Sequence, residues 1–194
     1  ENAITRWDVV NIQQEMIAEL SAGHTYARTG DMELSSNRGH GFLGIDWELA
    51  NGAYRIKGIV KPAAWDNEVR SPFDVTGVNV KEGEYILAVN GKPVDATIDP
   101  YASLEGMAGS TVMLKVNSQP NLTGARDVLI ETLTTGQERR LRHLEWIEGN
   151  RKKVEALSNG DLGYMYMPNS GGDGQTELVR QFYGQWNKEG LIID

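Results

Sequence analysis

Cysteine is absent from the 194 residues. That excludes disulfides, zinc–thiolate sites and a cysteine nucleophile within the chain, and says nothing about where the protein resides. Long apolar runs are also missing, and none approaches the roughly 20 residues that a helix needs to cross a bilayer. There is no basic block either: Arg151-Lys152-Lys153 is the densest cluster, and the balance of 19 basic against 27 acidic residues leaves a net charge of −8. Phosphate backbones need a basic surface, so nucleic acid is not expected as a partner, and the acidic excess reads as solvated surface. Histidine is scarce. His24, His40 and His143 are scattered without a metal-like spacing, so no metal is expected. The glycine-containing stretch Asn169–Gly174 lacks the Lys-Ser/Thr ending of a phosphate-binding loop and reads as an ordinary loop, and no cofactor is expected.

What is present divides the chain. Thr5–Leu20 reads as an amphipathic helix, opened by Thr5 with Asp8 three residues on and carrying Val9, Ile12, Met16 and Leu20 on one face. Ser21-Ala22-Gly23 ends it, with Gly23 suited to a left-handed cap, and His24 follows. Residues 30–39 read as a polar linker. Strands are expected at Phe42–Glu48, Tyr54–Val60, Glu84–Val89 and Thr111–Val116, with short helices near Pro72–Val75 and across Pro100–Met107. After a break at Ser118-Gln119-Pro120-Asn121 the pattern changes to strand Val128–Leu133, helix Arg140–Leu157, strand Asp161–Met167, helix Glu177–Asn187 and a buried strand from Gly190. Such alternation implies an α/β element. Glu145 and Glu148 read as solvated or salt-bridged helix residues, and His143 as surface.

Two segments carry the strongest chemical signal. Gly41-Phe42-Leu43-Gly44-Ile45 combines glycines, which free backbone N–H groups, with apolar residues at a strand opening. Gly77 to Val94 reads as a turn at Lys81-Glu82-Gly83, a strand, a hairpin turn at Asn90-Gly91 and a short strand. The first segment suits capture of a peptide C-terminal carboxylate, with the peptide adding as a strand at a sheet edge. In this order the pair resembles a PDZ domain of the bacterial strand arrangement. Arg38 is the nearest cation that could help to hold a carboxylate, and His40 lies beside the loop.

The whole chain resembles the C-terminal part of tricorn-type serine peptidases, of the tail-specific protease clan. The resemblance rests on Glu19–Tyr26, on the PDZ block, on Gly163-Tyr164-Met165-Tyr166-Met167-Pro168 followed by Gly190–Asp194, and on Trp146, Asn150 and Arg151. It implies an α+β, multi-domain organisation. Residues 1–37 would be an N-terminal helical segment, 38–118 a PDZ-like β-barrel or sandwich with short helices, and 119–194 the start of an incomplete, crotonase-like α/β catalytic domain. By resemblance, His24 is the catalytic general base, although the residue alone reads more simply as a surface histidine at a helix end. The substrate-binding residues would be Gly41, Phe42, Leu43, Gly44 and Ile45. Two departures matter. The family has Ser before the His where this chain has Gly23, and the family's nucleophile, orienting acid and oxyanion hole lie beyond the position of Asp194. The polypeptide alone is therefore expected to be inactive.

Further expectations follow from the resemblance. The partners are a peptide or unfolded-protein substrate and, for the parent protein, further copies of itself. The start at Glu1 rather than Met suggests a processed or excised piece, leaving prokaryotic cytoplasm and periplasm both open. The alternative reading, of a different class, is a non-catalytic PDZ-type module that binds peptide C termini.

Overall fold

The computed structural model describes residues 3–27 and 39–194. Arg38 and nearly all of the expected linker lie outside them. The chain forms two compact units, residues 1–37 and 38–194. In the first, helix α1 spans Arg6–Ala18 and opens on the expected capping box: the Asp8 N–H donates to Thr5 Oγ1 at 3.2 Å and the Thr5 N–H to Asp8 Oδ2 at 2.8 Å. Val10 is its buried residue, whereas Val9, Ile12 and Met16 are exposed. The left-handed backbone after the helix falls on Ser21 (φ 47°) and His24 (φ 62°), not on Gly23.

The second unit is built on an antiparallel sheet. Its strands are β1 (Ile45–Ala50), β2 (Ala53–Ile59), β3 (Tyr85–Val89), β4 (Lys92–Pro93), β5 (Thr111–Asn117) and β6 (Arg126–Glu131). They run in the order β1-β2-β3-β5-β6, with β4 pairing on β3 through the turn Asn90-Gly91. Both turn residues have positive φ, 48° and 78°, the backbone that the twist of a two-residue hairpin requires. Alternation sets the core: Val112, Leu114 and Val116 of β5 point inward beside Ile45, Ile56, Ile86 and Leu104. The sheet does not close into a barrel. Among the described residues its two ends meet at one bridge, between Phe42 ahead of β1 and Leu133 after β6. β6 is a strand of this sheet, which therefore continues past residue 118. Pro72–Val75 forms turns rather than a helix, and the second short helix is a 3-10 turn over Pro100–Leu104.

Helix α2 spans Thr135–Leu157, five residues longer at its start than expected. Thr134 and Gln137 form a second capping box, with the Thr134 N–H donating to Gln137 Oε1 at 2.8 Å. Strand β7 (Leu162–Met165), helix α3 (Gly172–Phe182) and strand β8 (Gly190–Ile193) complete a parallel β-α-β unit. α3 begins inside the stretch expected to be a loop: Asn169 Oδ1 accepts from the Gly171 N–H just ahead of the helix at 2.8 Å and from the Gly174 N–H in its first turn at 3.4 Å. Ile192 and Ile193 were expected to be buried and are 44% and 57% exposed. Among the described residues no helix is long and apolar enough to cross a membrane.

Candidate functional site

The five residues of the carboxylate-loop segment come together, but with their backbone groups engaged inside the unit. The Gly41 N–H donates to the Leu104 carbonyl at 2.9 Å, and Phe42 exchanges two bonds with Leu133 at 2.9 and 2.8 Å. The Gly44 N–H donates to a side chain, Glu138 Oε2 of α2, at 3.0 Å in a buried position. Ser71 Oγ donates to the Leu43 carbonyl at 2.9 Å. Leu43 and Ile45 are core residues, 1% and 0% exposed. The glycines are needed for packing as much as for free N–H groups. At Gly44, with φ 60°, an added Cβ would lie 2.8 Å from Leu141 Cδ2 and 2.9 Å from Ser71 Cα. At Gly41 it would lie 2.9 Å from the Met107 carbonyl.

Glu138 is held from the other side by Arg142, one turn further along α2. Arg142 Nε lies 2.7 Å from Glu138 Oε1, and its two terminal nitrogens reach Asp46 Oδ1 at 2.8 Å and the Ile45 carbonyl at 2.7 Å. An aromatic group of Phe42, Tyr101 and Trp47 flanks the segment, with Phe42 and Tyr101 5.0 Å apart and Trp47 and Tyr101 6.2 Å apart.

Burial raises the Glu138 carboxyl above the ordinary carboxylate range, although Arg142 and the Gly44 N–H pull the other way. Burial alone would lower Arg142, yet the bond to Asp46 and the charge of Glu138 carry it upward. The raised Glu138 has a definite consequence for stability. The folded chain takes up this proton at a pH where the unfolded chain has lost it, so stability falls as pH rises from the unfolded to the folded value. In urea titrations across that window, wild type should therefore lose stability relative to Glu138→Gln as pH rises. A difference that grows in favour of wild type would mean that the Arg142 pair outweighs desolvation.

His24 lies in the other unit, exposed, six residues after the end of α1. Its Nδ1 is 3.4 Å from the Tyr26 hydroxyl. A φ of 62° is uncommon for a residue with a side chain and is tolerated best by Asn, Asp and His. Nothing lies within 4 Å of a Cβ placed on Gly23.

The remaining sequence candidates find structural places. His40 is exposed beside the loop. His143 is not a plain surface residue: it stacks on Trp146 at 5.7 Å and meets the edge of Tyr166 at 4.8 Å. Glu148 is buried and paired with Arg151 at 2.7 Å, and Glu145 accepts from the Lys61 N–H at 3.2 Å. A cleft of about 270 Å³ between Trp65, Asp66, Glu148, Arg151, Arg180 and Gln181 was not foreseen. There Arg180 pairs with Asp66 at 3.0 Å and lies over the Trp65 ring at 5.3 Å. Among the described residues no cluster suits a metal ion. Glu138 and Arg142 were also missed. The signal was present in Thr134-x-x-Gln137, a helix-start pattern that places Glu138 and Arg142 on one helix face.

A glycine-containing loop ahead of an edge strand, on a half-closed sheet with a short helical turn beside it, defines the PDZ class. Residues 41–135 match the family described as the tricorn protease PDZ domain. Across its full length the chain is 27% identical to the tricorn protease of Thermoplasma volcanium and 32% identical to tricorn protease homolog 1 of Streptomyces coelicolor, covering 18% of each. A crystal structure of the tricorn protease superposes on 99% of the chain with a TM-score of 0.82 at 26% identity, and the chain covers 18% of it. Residues 41–135 are thus similar to the PDZ domain of tricorn proteases, and the chain spans about a fifth of the length of the curated relatives it matches.

Proposed function

We propose that these residues are part of a serine-type peptidase in which His24 is the general base and the PDZ domain handles or gates the peptide substrate through Gly41, Phe42, Leu43, Gly44 and Ile45. The observation that supports this most is that the likeness to tricorn proteases extends along the whole chain and is not confined to the PDZ domain. Residues 119–194 then include the opening of the catalytic core, with the serine nucleophile outside the 194 residues. The chain by itself would not cleave peptides. His24 suits the role chemically. A neutral imidazole can take a hydroxyl proton near neutral pH, and the adjacent Tyr26 hydroxyl can hold its Nδ1 side.

Turnover of a mixed fluorogenic peptide library by the complete protease tests this reading, and absence of any turnover would sink it. Gly23→Ser sharpens the test. The position has room for a side chain and no left-handed backbone, so the variant should fold as wild type does. Restoring the family's hydroxyl next to the base is expected to raise kcat by about tenfold, less than the 10²- to 10⁴-fold of a group that itself transfers the proton, because the hydroxyl only assists the base. An unchanged kcat would mean that water already fills that role.

A second reading, a module that binds peptide C termini without catalysis, is favoured by one observation. The Gly44 N–H does hold a carboxylate, and that carboxylate belongs to Glu138.

A further inference from the structure

We propose that Glu138, Leu141 and Arg142 of α2 are a built-in ligand of the PDZ domain: they fill the site of a peptide's C-terminal residue, so a free terminus enters only when α2 lets go. The proposal rests on the reading of Gly41–Ile45 as a carboxylate loop and goes further by naming what occupies it. A peptide terminus adding to this loop would present three things: a carboxylate to the loop N–H groups, a side chain to an apolar pocket, and a backbone N–H to the strand edge.

Each has a counterpart on α2. The Glu138 carboxylate accepts from the Gly44 N–H. Leu141, 0% exposed, packs with Val60 and Leu133 and against Phe42, and its methyl reaches the face of Gly44. Arg142 donates to the Ile45 carbonyl at 2.7 Å. The Gly44 carbonyl already accepts from the Val60 N–H of the neighbouring strand segment. By the alternation of an antiparallel ladder, the Ile45 carbonyl then faces the open edge of β1, where an added strand would bond. Donor, pocket and acceptor are thus taken by side chains from little more than one helical turn.

The occupant also names the ligand class. A carboxylate paired with a leucine side chain is the chemistry of a peptide ending in an aliphatic residue with a free terminus. Because the occupant is in the same chain, it competes at an effective concentration of millimolar or above. A peptide of micromolar intrinsic affinity would then appear weaker by about a thousandfold or more.

The test uses fluorescein-labelled heptapeptides ending in Leu, as free acid and as C-terminal amide, titrated by anisotropy into the 194-residue chain. Wild type should bind neither. Glu138→Ala should bind the free acid at least about tenfold more tightly than wild type does, with the amide unaffected, because the variant exposes the Gly44 N–H and leaves Arg142 Nε without its carboxylate partner. Binding of the free acid to wild type as tight as to Glu138→Ala overturns the occupancy and leaves the loop reading standing. Equal binding of acid and amide to the variant overturns the proposal, since no carboxylate is then being read. No binding of either peptide to either protein overturns both the proposal and the loop reading. A separate measurement needs neither peptide nor the alanine variant. The Gly44 amide proton should lie downfield in wild type and move upfield in Glu138→Gln, which keeps the side-chain shape. An unchanged resonance overturns the proposal directly.

Discussion

Replacing His24 by alanine is expected to abolish peptide hydrolysis by the complete protease, lowering kcat by about a thousandfold or more while leaving KM within a few-fold. A general base contributes 10²- to 10⁴-fold, and removing the base of a nucleophile–base pair costs about as much as removing the nucleophile itself. The fold should tolerate the change. His24 is exposed, and among the described residues its side chain approaches the Tyr26 hydroxyl at 3.4 Å. Its left-handed backbone makes alanine locally less favourable by about 1 kcal/mol, a small loss beside a thousandfold effect on rate. His24→Asn, which accepts that backbone more readily, should fold as well as wild type and be just as inactive. A variant that retains most of its kcat would return His24 to a surface role.

The second large effect is structural. Gly44→Ala is expected to destabilise the 194-residue chain by about 3 kcal/mol or more, read as a shift in the urea midpoint at unchanged slope. Two costs add. An alanine at φ 60° pays about 1 to 2 kcal/mol for the left-handed backbone. Its Cβ would also press to 2.8 Å of Leu141 Cδ2 and 2.9 Å of Ser71 Cα, and the second of these is backbone that cannot rotate away. Ser71 is fully buried and bonded to the Leu43 carbonyl, so relief has to come from moving α2. The same substitution therefore disturbs the Glu138 contact. A loss under about 1 kcal/mol would mean that the loop is looser than its packing implies.

Local chemistry made much of this fold legible. The Asn90-Gly91 turn, the alternation of β5 and the Thr5–Asp8 box each announce themselves within a few residues, and each stands where expected. The departures share a cause: in each, a distant or overlooked partner decides. The helix entry at Gly172 depends on the side chain of Asn169, which a glycine-rich stretch conceals. His143 looks like an exposed helix residue until β7 brings Tyr166 against it. Ile192 and Ile193 read as core from their composition, but burial is decided by what covers the strand. The loop was legible as a site of glycine-freed N–H groups, of which that of Gly44 meets a carboxylate. That the carboxylate would come from Glu138, 94 residues further along the chain, was not. Sequence spacing carries no signal for a contact made by the docking of a whole helix.

The central claim is that this region supplies the base of a serine peptidase. The most direct test is the rate at which a fluorophosphonate labels the complete protease, compared between wild type and His24→Ala. Labelling reports activation of the serine alone, without the complications of peptide binding or product release. The account predicts labelling of a single serine in wild type, slowed at least a hundredfold in the variant with no change in its melting temperature. Equal labelling of the two proteins would contradict it, and would move the base to another residue.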